Sequence, residues 1–128
     1  MLMFYQATKP VILIYKLGKV PEDKLTQLEL GMEEEGIPFL KETMELSSES
    51  IVSLAHQAAQ SSPLSVGLAI NEREIVLHYR NLQTEQFFYR LNNYPNQSNR
   101  VLRILGTNAA KLVKGTPLIQ DSALETSF

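Results

Sequence analysis

Val11-Ile-Leu-Ile-Tyr15 is an unbroken run of apolar, mostly β-branched residues. A strand with one wet face alternates, whereas one without alternation is buried on both faces. Such a strand belongs inside a sheet with further layers above and below it, and the flanking sequence supplies those layers. Gly18 and Pro21 close the run. Pro21 suits a first helical turn, in which Glu22 and Asp23 meet the positive end of the helix dipole. Leu25, Leu28 and Met32 then recur at helical spacing, and Gly36 with Pro38 beyond it stops the helix.

The same alternation of strand and helix continues. Phe39 to Met44 predicts a strand near a sheet edge, because Lys41, Glu42 and Thr43 interrupt it. Ser47 or Ser48 can cap the next helix, whose apolar stripe is Ile51, Leu54, Ala55 and Ala58. Ser61-Ser62-Pro63 ends it. Leu64 to Ile70 is a second buried-type strand, Asn71 to Glu74 a polar turn, and Ile75 to Arg80 a strand that pairs back as a hairpin. Phe87 to Leu91 offers a further short strand, and Asn92 to Asn99 a surface loop. The last helix carries Val101, Leu105, Ala109 and Leu112 on one face and stops at Gly115 before Pro117. Layers of helix around a mixed sheet define an α/β sandwich. The expected organisation is a single domain over 1–128, with an N-terminal extension (1–9), an α/β core (10–119) and a frayed tail (120–128).

Composition narrows the function classes. Apolar content of 44% with 20% charged residues excludes a disordered or fibrous chain. With 12 basic and 14 acidic residues, no net field selects nucleic acid or a membrane as partner. The absence of cysteine removes disulfides, thiolate metal sites and thiol nucleophiles together. The first ten residues lack a basic n-region and do not read as a signal peptide, so a cytoplasmic location is expected. No run approaches the roughly 20 apolar residues of a bilayer span.

No Walker loop, G-x-G-x-x-G, H-E-x-x-H or G-x-S-x-G pattern occurs. The two histidines, His56 and His78, read as structural or solvated, since chain order ties neither to a serine and a carboxylate. Arg100, Arg103, Lys111 and Lys114 fall opposite the apolar stripe of the last helix. They suit a solvated face better than a polyanion site, because no aromatic residues interleave with them. Glu33-Glu34-Glu35 is the sharpest feature. At about 100° per residue the three side chains fan over about 200° and cannot share one ion. Glu35 turns back toward the buried face, Glu33 sits on a flank and Glu34 points outward, with Leu30 one turn before it on the same side. One carboxylate falls far short of the roughly six to eight oxygens a hard cation takes. Spacing alone therefore favours a solvated acidic face, and a metal role needs ligands from elsewhere, such as a second subunit.

Four segments in register carry a family resemblance: Leu30-Gly-Met-Glu-Glu-Glu-Gly-Ile-Pro-Phe39, Ala58-Ala-Gln-Ser-Ser-Pro-Leu64 with Val66-Gly-Leu68, Val76-Leu-His-Tyr-Arg-Asn-Leu82, and Asn108-Ala-Ala-Lys-Leu-Val-Lys-Gly-Thr-Pro117. In order and spacing, over about residues 11 to 119, the chain resembles the small subunit of the diol/glycerol dehydratase-reactivating factor. The resemblance implies a three-layer α/β sandwich with a mixed, mostly parallel sheet, similar to the dehydratase medium subunit and to anticodon-binding-domain-like folds. It implies a non-catalytic chain whose partner is a large subunit with an actin-like ATPase core, in a complex of two large and two small chains. The complex would release damaged cobalamin from inactivated adenosylcobalamin-dependent dehydratase by exchange with the medium subunit. ATP would act on the large subunit, and a divalent cation, Mg or Ca, would be shared between the chains, with Glu34 as this chain's ligand and Leu30, Glu33 and Glu34 at the interface.

The location implied is cytoplasmic, open to association with a bacterial microcompartment. Met1 to Thr8, Asn92 to Asn99 and Arg100 to Ile104 depart from the family pattern. Two alternatives stand beside this reading: a divergent medium subunit of a cobalamin-dependent dehydratase, and an RNA-binding module on the related fold.

Overall fold

The structure, a computed structural model, describes residues 10–128; the N-terminal extension lies outside the described residues. The run that opens the chain forms β1 (Ile12–Leu17), followed by α1 (Glu22–Glu34), β2 (Phe39–Met44), α2 (Ile51–Ser61), β3 (Val66–Ile70), β4 (Glu74–Tyr79), β5 (Tyr89–Asn92) and α3 (Asn99–Lys114). The sheet order is β2-β1-β3-β4-β5, with β1 near its middle. It is parallel to both β2 and β3, whereas β4 is antiparallel to β3 and to β5. Four of the five strands thus share one direction, although the two pairings made by β4 are antiparallel. The tight Asn71–Arg73 turn is the reason, since a short connection can only reverse the chain.

β1 is buried on both faces for the reason its composition suggested. Ile12 and Ile14 enter the layer that α1 and α3 complete with Leu25, Leu28, Met32, Leu102 and Leu105. Leu13, Tyr15 and Leu17 enter the opposite layer, under Ile51, Leu54, Ala55 and Ala58 of α2. This is the three-layer arrangement. β2 is an edge strand, as expected, and its Lys41 folds back over α1 to Glu29 at 2.8 Å. That close carboxylate raises the lysine pKa.

Three local expectations differ. α2 is capped by Ser50, whose hydroxyl accepts from the Ser53 amide at 3.1 Å, and not by Ser47 or Ser48. Ser47 instead closes a turn with the Glu49 amide. The polar tract 92–99 is not wholly a surface loop. Its 3₁₀ turn, Tyr94–Asn96, drops Tyr94 fully into the core, where the phenol donates to the Asn71 carbonyl at 2.6 Å. Burial pushes that phenol up to about 12, so it remains a donor. The segment expected to fray is placed along β5: Glu125 exchanges backbone hydrogen bonds with Arg90, Ser127 bonds Phe87, and Leu124 is buried.

Candidate partner interface

α1 ends where Gly36, at φ +75°, turns the chain left-handed, a conformation open to glycine without steric cost. The Gly36 and Ile37 amides reach back to the carbonyls of Glu33 and Met32 and close the helix. The three carboxylates are left at the rim and separate as helical geometry requires. Glu33 is exposed. Glu35 turns to α3, where Lys114 Nζ lies 2.8 Å and Lys111 Nζ 3.8 Å from its Oε1. The hydrogen bond from Lys114 holds its pKa below the usual carboxylate value. The two cations that α3 supplies offset the negative helix end at which Glu35 sits.

Glu34 has a different setting. Its side chain is 58% exposed, with no hydrogen bond among the described residues, and its one ionic neighbour is Arg103, with Nε 4.0 Å from Oε1. The Arg103 guanidinium is held from the other side by Gln27, whose Oε1 accepts from Nη2 at 2.9 Å. Leu30, expected beside Glu34, is half-buried. Gln27, Glu34, Asn99, Arg100, Arg103 and Thr107 line an open groove of about 500 Å³ along the α1–α3 seam. Among the described residues no group of three or more His, Cys, Asp or Glu gathers to hold a metal. A hard cation fits this chain only as a guest of one carboxylate, with further oxygen ligands arriving from elsewhere.

The seam also accounts for the basic residues of α3. Arg103, Lys111 and Lys114 face α1 and its carboxylates instead of solvent alone, while Arg100 lies 3.6 Å from Asp121. The helices approach closely because Gly31 and Gly106 face each other across the seam. A Cβ on Gly106 would collide with the Leu28 carbonyl, and one on Gly31 with backbone of Arg103 and Thr107. Gln27 went unnoticed in the sequence, although its position two turns before Glu34 was the available signal.

The histidines form a separate, internal device. Both are buried, with ring centroids 4.4 Å apart. The Tyr79 amide donates to His78 Nδ1 at 3.0 Å, and Nε2 faces the Thr84 carbonyl at 3.3 Å. His56 Nε2 likewise faces the Arg80 carbonyl, at 3.2 Å, and its Nδ1 faces the Thr84 hydroxyl, at 3.1 Å. The two rings thereby pin the loop after β4 onto α2. Burial lowers the His78 pKa. A group depressed in the folded state binds fewer protons there than when unfolded, so stability falls as pH drops below the ordinary value of 6.5. For one such group the slope cannot exceed about 1.4 kcal/mol per pH unit. Urea titrations between about pH 7 and 5 should show this loss; a flat profile would exclude a neutral buried His78, and His78→Gln should remove most of the slope.

No helix of the described residues is long and apolar enough to cross a membrane. The three-layer α/β fold places the chain in a defined class. It belongs to the dehydratase medium-subunit family, whose model matches residues 9–119. Within that family it is similar to the propanediol dehydratase-reactivating factor small subunits of Salmonella typhimurium and Citrobacter freundii. The first is 46% identical over 69% of this chain and 72% of its own, the second 39% identical over 86% and 90%. Among solved structures, a diol dehydratase-reactivating factor complexed with ADP and Mg2+ superposes with a TM-score of 0.76 at 37% identity, covering 87% of this chain and 98% of the other. A glycerol dehydratase reactivase superposes at 0.74 with 29% identity, over 87% and 97%.

Proposed function

We propose that this chain is the non-catalytic small subunit of an ATP-dependent reactivase that serves an adenosylcobalamin-dependent diol or glycerol dehydratase. The kinship with reactivating-factor small subunits over nearly the whole described chain is the observation that carries this reading. In it, ATP is bound and hydrolysed by the large subunit, and this chain exchanges with the dehydratase medium subunit whose fold it shares. Exchange acts by differential binding: the chain occupies the medium subunit's place on one state of the enzyme, and the equilibrium shifts by the difference in affinity. The loosened enzyme then loses its damaged cobalamin. The complex contains two large and two small chains in the cytoplasm, and association with a microcompartment belongs to the same reading.

The residues that meet the large subunit are Leu30, Glu33 and Glu34. A divalent cation, Mg or Ca, would bridge carboxylates of the two chains at that contact. Glu34 is the side chain fitted to it, being exposed and lacking a close hydrogen-bond partner among the described residues. Glu34→Gln should weaken cation-dependent association with the large subunit by about tenfold or more, a loss of roughly 1.4 kcal/mol or above. Glu33→Gln should change it by less than about twofold, since its exposed carboxylate acts only through screened charge. Calorimetric titration with and without EDTA reads both, and equal effects of the two variants would defeat the assignment.

The family model itself favours one second reading, a divergent dehydratase medium subunit. A cobalamin spectral titration separates the two. Tight coenzyme binding by this chain together with the other dehydratase subunits would support the second reading against the first.

A further inference from the structure

In the isolated subunit Glu34 has a cationic neighbour, Arg103, at the limit of ionic contact, and that arginine is itself held by Gln27. Arg103 extends along the α1–α3 groove with Nη2 donating to Gln27 Oε1 at 2.9 Å, while Nε lies 4.0 Å from Glu34 Oε1. Gln27 and Glu34 are seven residues apart, two turns of α1, so both lie on the side that meets α3. Gly31 stands between them. Its lack of a side chain lets the Arg103 backbone pack directly on α1, which fixes the root of the arginine at the middle of the seam. Root and tip are therefore both held, and the guanidinium is presented to Glu34 from a fixed direction.

We infer that Arg103, braced by Gln27, is a positioning residue for Glu34, serving as its internal counter-cation until a divalent cation arrives with the partner chain. The inference rests on the assignment of Glu34 as the cation-ligating residue. The arginine acts in two ways. It keeps the carboxylate turned to the groove in the absence of the ion, and it raises the ion concentration at which the carboxylate changes partners. The second effect follows from charge. A guanidinium within contact range of a carboxylate repels an incoming dication, and the pair must also give up its own attraction. At a half-exposed site water weakens both, so the effect is moderate and not absolute.

The experiment uses the assembled complex of large and small subunits, with Mg2+ and Ca2+ as the probes. Association is followed by calorimetry or analytical ultracentrifugation over a cation titration. Arg103→Met keeps the stem packing and removes the charge, and it should lower the cation concentration for half-maximal association by about threefold or more. Arg103→Lys should restore the wild-type midpoint, and Gln27→Ala, which removes only the brace, should move it in the same direction as Arg103→Met by a smaller amount. Thermal unfolding of each isolated variant should stay close to wild type, because Arg103 is 44% exposed. An unchanged or raised midpoint in Arg103→Met, in a complex whose cation dependence is abolished by Glu34→Gln, would overturn the role of Arg103 while leaving Glu34 assigned. Cation dependence that survives Glu34→Gln would overturn both.

Discussion

Gly106→Ala is expected to destabilise the fold by about 3 kcal/mol or more. The reason lies in the seam between α1 and α3. A Cβ at Gly106 would meet the Leu28 carbonyl oxygen at less than any real carbon contact, and the obstructing atom is backbone, which cannot turn aside as a side chain can. The helices would have to separate, and the layer of Leu25, Leu28, Leu102 and Leu105 beneath them would lose packing. Gly31→Ala should behave alike, since its Cβ would lie 2.6 Å from the Thr107 amide nitrogen and closer still to the Arg103 carbonyl. Helix propensity opposes this: alanine is the better helix former by about 1 kcal/mol, so the net loss measures the collision after that gain is subtracted. Urea denaturation of the two variants provides the measurement. A Gly106→Ala protein within about 0.5 kcal/mol of wild type would mean that the helices are not in backbone contact. A variant that stays folded should also show altered cation-dependent association, because separating the helices moves Arg103 from Glu34.

Tyr94→Ala should cost about 3 to 5 kcal/mol, the range for removing a large aromatic side chain from a core. Tyr94 is fully buried, and its phenol supplies the donor that the Asn71 carbonyl takes at 2.6 Å. The ring therefore ties the segment after β5 to the turn between β3 and β4. Tyr94→Phe keeps the ring and removes the donor, which should cost about 1 to 2 kcal/mol for the carbonyl left without its partner. The pair of variants separates packing from hydrogen bonding. If Tyr94→Phe were as damaging as Tyr94→Ala, the hydrogen bond and not the ring would be the principal anchor, contrary to the fully buried position.

These two residues also mark what the sequence could and could not convey. The layers were legible because burial on both faces leaves an unbroken apolar run, as in Val11 to Tyr15, and because helix stops such as Gly36 carry a conformational requirement in the residue itself. Tyr94 was not, since it sits alone among Asn, Pro, Gln and Ser, and no period distinguishes a single buried ring in a polar turn from an exposed one. The cap of α2 was misplaced by two or three positions because three serines, 47, 48 and 50, offer the same hydroxyl, and tertiary packing decides where the helix begins. At the end of α1, helical geometry correctly separated Glu33, Glu34 and Glu35. It could not foresee that α3 would bring Lys111 and Lys114 to Glu35 and Arg103 to Glu34, because the helix pairing is a tertiary event. The close approach of Gly31 and Gly106, residues far apart in the chain, is invisible for the same reason.

This chain is proposed to work as a reactivase small subunit. The direct measurement is recovery of activity by glycerol-inactivated diol dehydratase, supplied with fresh adenosylcobalamin, ATP and a divalent cation, when this chain and the large subunit are added together. Recovery should require both chains and ATP, with this chain found in the dehydratase fraction in place of medium subunit during the reaction. No recovery, with this chain instead assembling with the remaining dehydratase subunits into a coenzyme-binding, active enzyme, would contradict it.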